Sequence, residues 1–339
     1  MKKQVTLSAI ALATAFTATS AFAGMTVAEK DDGKLELSGK AFLGFQSVDK
    51  SGTKTLGGNV DRFYFQAKYK KDDWYARITT DVNNEQSQKD SNGDTKNLKR
   101  NMNVFLKYAY IERSFSDAAQ LRLGLSHTPW IDYEQGLWGH RFVSKVTSDH
   151  FGFDSSADYG VGLKGKLADK MVEYWVTATN GGGYGEPNQT GALDINSRVT
   201  IKPIDGLDVS LQYRTGYKGK KTTSTVNIAD KDTMTQLMAS YKVDGYRIGA
   251  NTISVKNLKT AAGDDRTATA IWGTAKFNKE FGAFAKVESM DNNGTKTDHQ
   301  VIGVDYFMDK GLTMSFAYDN EKTGSAKTTK MGVYSLVKF

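Results

Sequence analysis

Residues 127–158 read HTPWIDYEQGLWGHRFVSKVTSDHFGFDSSAD, and this stretch decides how the rest of the chain is interpreted. It contains two of the five tryptophans, three of the four histidines and one of the three prolines. Its apolar residues follow no alternating pattern, unlike those of the segments on either side. A connection of this length is usually functional or disordered, and its aromatic content argues against disorder. We therefore predict an ordered loop with a role in function.

Short alternating segments precede and follow this loop. Residues 121–125 place a leucine at every second position, and residues 159–163 repeat the spacing with Tyr, Val and Leu. A period of two gives a strand one apolar face and one polar face. Sixteen segments show it, and a length of about 8–12 residues suits a tilted strand that crosses a membrane. The segments are residues 35–46, 62–69, 74–82, 103–113, 121–126, 159–166, 172–177, 195–202, 207–214, 236–243, 246–251, 271–277, 281–288, 302–306, 312–319 and 331–339.

The N-terminus has the composition of a secretory signal. Lys2 and Lys3 precede an apolar run at residues 7–16, and small residues follow up to Ala23. We expect residues 1–23 to be removed, which takes away two lysines and lowers the net charge from +7 to +5. Residues 24–339 are then one domain. They contain no cysteine, and no run of about 18 apolar residues predicts a membrane-spanning helix.

Two architectures fit an exported chain of this kind. One is a soluble all-β protein, and the other is a transmembrane barrel, whose polar lumen face lowers the mean hydropathy, here −0.49. Tight turns such as residues 70–73 and 244–245 alternate with longer polar loops, predicted at residues 50–59, 84–101, 180–194, 216–232, 256–266 and 289–298. This asymmetry is typical of outer-membrane barrels. We predict an all-β fold, a transmembrane antiparallel up-and-down β-barrel of about 16 strands, with the loop at residues 127–158 folded inward after the fifth strand.

Aromatic side chains recur at strand ends beside the tight turns. The pairs that flank three of these turns are Tyr69 and Trp74, Tyr241 and Tyr246, and Phe277 and Phe281. Rings also pair across strands in soluble sheets. Their recurrence at one turn after another, however, favours an aromatic girdle at the level of the lipid headgroups.

The end of the chain completes a pattern that resembles a known family. The segment MGVYSLVKF (331–339) places Met331, Val333, Val337 and the terminal Phe339 on one face of a final strand. Together with the signal, the sixteen strands and the long loop after the fifth, this ending resembles Gram-negative outer-membrane porins. The segment LRLGLSHTPW (121–130) is similar to a strand-then-proline segment of the phosphate-selective porin O and P family.

The resemblance implies a location, an assembly and partners. It implies a homotrimer in the outer membrane of a Gram-negative bacterium, with the inner loop narrowing each pore and Phe339 closing each barrel. Outer-membrane lipid, lipopolysaccharide and small hydrophilic or anionic solutes are the expected partners. No nucleic acid and no cofactor are expected.

The polar strand faces are predicted to line a water-filled pore, because a barrel of about sixteen strands is too wide for side chains to fill. We assign 17 basic and seven acidic residues to these faces, which predicts a mild preference for anions. The alternative is that many of these charges lie at the rims, where salt screens them beyond about 8 Å. The candidate pore-wall residues are Arg62, Arg77, Lys107, Arg113, Arg122 and Lys164.

Charged residues within the loop are candidates for a constriction of the pore. They are Asp132, Glu134, Arg141 and Lys145. Acids and bases that face each other across a pore create a transverse field. The alternative is that these charges pair locally and only anchor the loop. The loop aromatics are predicted to pack against the wall rather than to bind a ligand: Trp130, Tyr133, Trp138, Phe142, Phe151 and Phe153.

Other functions were weighed against diffusion through a pore. An outer-membrane enzyme is not predicted, because no G-x-S-x-G motif accompanies the histidines. No metal is predicted, because His127, His140 and His150 match no recognised ligand spacing. A soluble exported binding module would bury its apolar faces in a dry core. A barrel that serves as a conduit sleeve or structural protein would leave no mark in the sequence.

Overall fold

The computed structural model describes residues 24–30, 33–83, 87–89, 95–97, 103–186, 192–219 and 231–339. The signal predicted at residues 1–23 lies outside these ranges, as does much of the loops predicted at residues 84–101 and 216–232. The alternating segments all form strands, because each can turn its apolar side chains to one face of a sheet.

Sixteen of the described strands form one closed antiparallel barrel, as predicted. They are β2 (Gly33–Lys50), β3 (Thr53–Lys71), β4 (Trp74–Asn83), β7 (Asn103–Ser116), β8 (Ala119–His127), β9 (Ala157–Leu167), β10 (Val172–Thr179), β11 (Asp194–Ile201), β12 (Leu207–Gly216), β13 (Asp232–Val243), β14 (Tyr246–Lys256), β15 (Arg266–Lys276), β16 (Phe281–Asn292), β17 (Thr295–Asp309), β18 (Leu312–Thr323) and β19 (Ala326–Lys338). Three short strands lie outside this set: β1 (Met25–Lys30), which pairs with the start of β2, and β5 (Ser87–Lys89) and β6 (Thr95–Asn97), which pair with each other.

The barrel closes where the last strand meets the first long one. Strand β19 pairs with β2, with Val333 opposite Phe45. The backbones of Gly39 and Phe339 exchange two hydrogen bonds, of 2.5 and 3.0 Å. The Phe339 ring lies 5.5 Å from that of Phe63. Phe339 therefore lies at the seam between β19 and β2.

The apolar strand faces point outward. Phe45, Ile248, Ile302 and Phe316 are each more than half exposed. Lipid offers no partners to backbone N–H and C=O groups, and a closed sheet pairs these groups within itself. The predicted girdle rings are also exposed: Tyr69, Trp74, Tyr241, Tyr246, Phe277 and Phe281. Among the described helices, none has the length and apolar character needed to cross a membrane.

A β-bulge changes which faces two tyrosines and an arginine occupy. Thr79 of β4 pairs with Tyr108 and Thr80 pairs with Leu106, so Lys107 of β7 is an extra residue. The extra residue moves the alternation by one position. Strict alternation over residues 103–113 predicts that Tyr108 and Tyr110 share the outer face with Val104 and Leu106, but the bulge buries both tyrosines inside.

Arg113 lies beyond the bulge and faces outward. Its guanidinium lies 5.2 Å from the ring centre of Trp74 and 5.1 Å from that of Phe115, two exposed rings. The prediction of Arg113 as a pore-wall residue is therefore wrong. The register of two paired strands sets its orientation, and the sequence of one strand does not reveal that register.

Connections at one end of the barrel are tight, as predicted, and two at the other end are tighter than predicted. The turns at Asp72–Asp73 and Asp244–Gly245 are two residues long. Residues 50–59 and 289–298 were expected to form loops, but β2 pairs with β3 up to Lys50 and Thr53, and β16 pairs with β17 up to Asn292 and Thr295. These strands therefore extend as hairpins, and several exceed the predicted length.

Candidate functional site

The chain between β8 and β9, residues 128–156, folds into the barrel. It contains helix α1 (Ile131–Trp138) and the single-turn helix α2 (Thr147–His150). Gly139 ends α1 with a φ of 75°, and its N–H donates to the carbonyl of Gln135. Glycine adopts this left-handed conformation without a steric penalty. The inward loop that the sequence predicted is confirmed, and we call residues 128–156 the inner loop.

Apolar contacts fasten the inner loop to one side of the wall. The Trp138 ring lies 6.0 Å from that of Trp272 on β15 and 5.8 Å from that of Phe284 on β16. The cluster also contains other buried residues from the loop and from the wall: Phe42, Trp130, Ile131, Phe142, Val146, Met238, Val301, Ala317 and Tyr334. Full burial of an apolar side chain as large as phenylalanine stabilises by about 1.5–3 kcal/mol. The loop aromatics therefore pack against the wall, as predicted.

A second apolar cluster lies around Phe153. It contains inward-facing residues of β13 to β16 and the turn after β14: Met234, Ile253, Val255, Leu258, Ala268 and Met290. The two clusters together make one side of the lumen a dry core. The alternating pattern predicts polar inner faces throughout. Met238, Trp272 and Phe284, which are apolar at inward positions, were the sequence signal for this core, and they were overlooked.

Glu134 joins the loop to this same side. Its carboxylate accepts hydrogen bonds from Trp130 Nε1 (2.7 Å), Asn251 Nδ2 (2.5 Å) and Gln236 Nε2 (3.3 Å). Burial raises the pKa of Glu134 to about 7. Glu134 therefore points to the wall and anchors the loop, and it does not face the passage described below.

Asp154, near the end of the loop, makes a charged contact with the wall. Its carboxylate lies 3.0 Å from Arg214 Nη1 and also accepts from Gln212 and Asn196. Arg214 in turn pairs with Asp232. Burial alone would raise the pKa of Asp154, but the Arg214 guanidinium brings it below the ordinary value. Both ends of the inner loop are thus fixed.

The open passage lies on the other side, between the inner loop and strands β2, β3, β4 and β7. Two cavities occupy it, and one includes Lys40, Arg77 and Lys338 in its lining. The other includes Arg62 and Lys107. Five of the described residues line both cavities and stand between them, and we call them the constriction: Tyr64, Tyr108, Asp132, Gln135 and Arg141.

Two of the four predicted constriction residues belong to this set. Asp132 lies 2.8 Å from His127 Nε2 and accepts from the Tyr108 hydroxyl at 3.1 Å. Arg141 pairs with Asp61 (3.2 Å) and with Asp149 (3.5 Å). Lys145 lies 3.7 Å from Asp149, outside the constriction. These charges pair locally, which was the alternative weighed from the sequence.

Five of the six predicted wall residues face the lumen. Arg62 pairs with Asp81 at 2.9 Å, and Arg77 donates to Gln66 at 2.8 Å. Lys107 donates to Ser156 of the inner loop at 2.6 Å. The other two lumen residues are Arg122 and Lys164, both paired with Glu112. Arg113 is the exception, because it lies on the outer face.

The charges along the passage do not balance. Lys40, Arg77, Lys107 and Lys338 have no carboxylate oxygen within 4.0 Å among the described residues. Among the described residues, the acids that line the same cavities are Asp132, Asp149 and Asp154. Asp149 and Asp154 pair with arginines, and Asp132 lies beside the His127 imidazole. Lysines and arginines therefore outnumber carboxylates in the lining of the passage.

The loop histidines differ in their surroundings. His127 lies beside Asp132, and His140 lies 2.9 Å from Asp305. His150 lies 2.7 Å from Glu321 and stacks on His299. Among the described residues, His150, Glu288 and His299 form the group whose ligand atoms are close enough to hold a metal ion.

A closed sixteen-stranded barrel with an apolar exterior and an inner loop beside an open passage defines a class, the pore-forming proteins of the bacterial outer membrane. Comparison of the sequence with known families identifies the particular one. The pattern of the Gram-negative porins matches residues 9–334. The chain belongs to this family and is an outer-membrane porin.

Solved structures share the fold at low sequence identity. An anion-selective porin from Comamonas acidovorans superposes with a TM-score of 0.62 at 12% identity over 91% of this chain and 100% of that one. OmpF of Salmonella typhi, in complex with daunomycin, superposes with a TM-score of 0.65 at 12% sequence identity. The match covers 93% of this chain and 100% of OmpF. The channel DcaP of Acinetobacter baumannii superposes with a TM-score of 0.62 at 14% sequence identity, over 94% of this chain and 100% of DcaP. No curated protein matches the sequence significantly.

Part of the constriction could not be recognised from the sequence. Tyr108 was assigned to the outer face, and the bulge at Lys107 reverses it. The sequence does not mark Gln135 as a constriction residue, because polar residues are common on short helices. Its place beside Tyr64 follows from the direction in which α1 crosses the barrel.

Proposed function

We propose that this porin lets small hydrophilic solutes diffuse passively along the passage, with a mild preference for anions. The observation that supports the preference is a set of four basic side chains without a carboxylate oxygen within 4.0 Å among the described residues: Lys40, Arg77, Lys107 and Lys338. Positive charge inside a narrow, low-dielectric tunnel raises the local concentration of anions and repels cations. Paired charges, such as Arg62 with Asp81, contribute little to this field because they largely cancel.

The constriction is proposed to set the size limit. Tyr64 and Tyr108 contribute rings from the wall, and Gln135 and Arg141 contribute polar groups from the inner loop. The dry core behind the loop holds it at a fixed distance from the wall, so the opening does not depend on a mobile segment. The similarity in fold to an anion-selective porin is in keeping with the proposal.

Planar-bilayer recordings of the purified chain test both parts. In a KCl gradient the zero-current potential should have the sign expected for chloride. Neutralising two cations, with Lys40→Gln and Lys338→Gln together, should move this potential towards zero. The preference should also weaken between 0.1 and 1 M salt, because the Debye length falls from about 10 Å to about 3 Å.

The matched control is Lys279→Gln. Lys279 lies in an exposed turn after β15, so the same change of charge there should leave the potential unaltered. A cation-selective wild-type channel would contradict the anion preference. A barrel that inserts but passes no current would contradict diffusion altogether and favour a conduit sleeve.

We further propose that residues 1–23 are removed, so that the mature protein starts at Gly24, and that it assembles as a homotrimer in outer-membrane lipid and lipopolysaccharide. The exposed apolar rows of the barrel need such an environment. A similar structure, OmpT of Vibrio cholerae, is described as a trimer form. The intact mass of the protein isolated from outer membranes tests the cleavage. Its mass in mild detergent tests the trimer.

A further inference from the structure

A cluster of histidines and carboxylates lies outside the passage, on the lumen face of β16, β17 and β18. His150 of α2 reaches it from the inner loop, and the wall contributes Glu288, His299, Asp319 and Glu321. Glu321 and His299 lie near the ends of their strands on the side of the barrel where the long connection at residues 257–265 joins β14 to β15. Long connections lie on the external side of outer-membrane barrels. The cluster is therefore close to the external mouth, and we call these five residues the histidine–carboxylate cluster.

The cluster brings its ligand atoms together. The rings of His150 and His299 are stacked with centroids 4.3 Å apart and planes 8° from parallel. One ligand atom from each of His150, Glu288 and His299 lies within 4.8 Å of the others. Glu321 Oε2 lies 2.7 Å from His150 Nε2, and Asp319 Oδ2 lies 3.2 Å from His299 Nε2.

Glu288 orients His299. It lies 2.6 Å from His299 Nδ1, which must donate the proton, since the carboxylate also accepts from Lys286 (2.9 Å) and from Thr147 (2.8 Å). This is the arrangement in which a carboxylate fixes the tautomer of a metal-binding histidine and directs its other nitrogen to the metal.

Two buried atoms of the cluster make no hydrogen bond to any described residue. One is Nε2 of His299, a residue that is 2% exposed, and the other is Oδ1 of Asp319, which has the Lys330 ammonium 3.8 Å away. A neutral imidazole nitrogen and a carboxylate oxygen are both acceptors, so at 3.2 Å they repel each other unless a positive ion bridges them or a proton is added. Leaving buried polar atoms unpaired costs about 1–3 kcal/mol each.

From this geometry we propose that the cluster binds a transition-metal ion of the zinc class. His150 Nε2, His299 Nε2 and the carboxylates of Asp319 and Glu321 are the ligands, and Glu288 is a positioning residue. Imidazole nitrogen favours zinc, copper or nickel over magnesium or calcium. The bound ion would connect α2 of the inner loop to β17 and β18. The proposal is independent of ion selectivity, because it concerns the side of the loop away from the constriction.

Titration of the full-length, untagged protein in detergent with Zn²⁺ tests the site. We expect saturable binding of one ion per chain that an excess of Mg²⁺ does not displace. Co²⁺ in its place should give visible absorption bands of a nitrogen- and oxygen-ligated ion. His299→Gln and, separately, His150→Gln should each weaken binding by at least about tenfold.

The matched control is His140→Gln. His140 is also a histidine of the inner loop, and it has a carboxylate partner, Asp305. Unlike His150, which stacks on His299, it belongs to no pair of histidines among the described residues. This variant should bind as the wild type does. His150 belongs to the loop and not to the barrel wall, so its variant tests the site even if His299→Gln fails to fold. Absence of saturable Zn²⁺ binding, or binding equal in the His150 variant and the wild type, would overturn the proposal.

Discussion

At the scale of single residues, burial decides what a charge does. Glu134 and Asp132 are two positions apart on α1, and both were expected in the constriction. Asp132 faces His127 and the passage, whereas Glu134 faces Asn251 and Gln236 in the dry side of the lumen. Helical geometry separates them, because positions two apart point to different sides of a helix. One carboxylate therefore lines the pore and the other anchors the loop.

The first prediction concerns the pH dependence of this anchor. Burial raises the pKa of Glu134 to about 7, from 4.5 when the loop is released. Below pH 4.5 Glu134 is protonated whether or not the loop is docked, and its full contribution stabilises the docked loop. This contribution is lost as the pH rises through about 7, the pKa of Glu134 in the docked loop. The difference corresponds to about 3 kcal/mol. Wild-type protein should therefore resist thermal unfolding in detergent better near pH 5 than near pH 8.

Glu134→Gln removes the ionisable group but keeps a hydrogen-bonding amide. The difference between its thermal midpoints at pH 5 and pH 8 should be smaller than the corresponding difference for the wild type. An unchanged pH dependence in the variant would show that Glu134 does not titrate in this range.

At the scale of elements, the inner loop is held asymmetrically. Trp138 and Phe153 meet β13 to β16, where inward positions are apolar as well, and Phe142 contacts Phe42 of β2 with ring centres 6.3 Å apart. Contacts with β3 and β7 include polar ones, such as Lys107 with Ser156 and Arg141 with Asp61. The hydrophobic effect favours docking of the loop on this side, because the docked state is stabilised in proportion to the apolar area that leaves water. The passage is the space left on the polar side.

The second prediction tests this view. Trp138→Ala removes the ring that contacts Trp272 and Phe284, and a large-to-small change in a packed core costs about 3–5 kcal/mol. The loop should detach from the wall more often. In planar bilayers the single-channel current should become noisier than that of the wild type.

Trp74→Ala is the control for this change. It deletes the same side chain, but Trp74 is exposed on the outer surface, so the channel current should keep its wild-type noise. If Trp138→Ala is as quiet as Trp74→Ala, the apolar cluster is not what holds the loop.

At the scale of the whole molecule, closure depends on a seam between residues about 300 positions apart. Gly39 makes this seam possible. A Cβ atom at Gly39 would lie 2.5 Å from the Phe339 ring and 2.6 Å from the carbonyl oxygen of Tyr64. The ring can turn away, but the backbone carbonyl cannot. The close approach of β2, β3 and β19 therefore requires a residue without a side chain.

The third prediction follows from this contact. Gly39→Ala should lower the free energy of unfolding by about 1–3 kcal/mol, as expected for overpacking. The urea concentration at the midpoint of unfolding in detergent measures it. Gly57→Ala, in strand β3, is the control, because a Cβ there meets no atom within 4 Å. Equal midpoints for the two variants would argue against a crowded seam.

The local pattern predicted much of the fold, and pairing between strands accounts for most of what it missed. Alternation is a property of each strand alone, so segments such as residues 207–214 could be assigned from their own sequence. The bulge at Lys107 arises only when β7 is aligned with β4. It moves Tyr108 to the inner face of the barrel and Arg113 to the outer face. The extended hairpins at residues 50–59 and 289–298 also depend on pairing, because polar residues join a ladder when a partner strand continues beside them.

By itself the sequence determined the class of fold, the number of strands, the inward loop and the outward apolar faces, since all of these follow from patterns within about ten residues. The tertiary structure decided which side of the lumen is dry, which charges are paired along the passage, and that His150 meets His299. These features join residues far apart in the chain. Their distances depend on how the loop packs and how the barrel closes, and no local pattern encodes that.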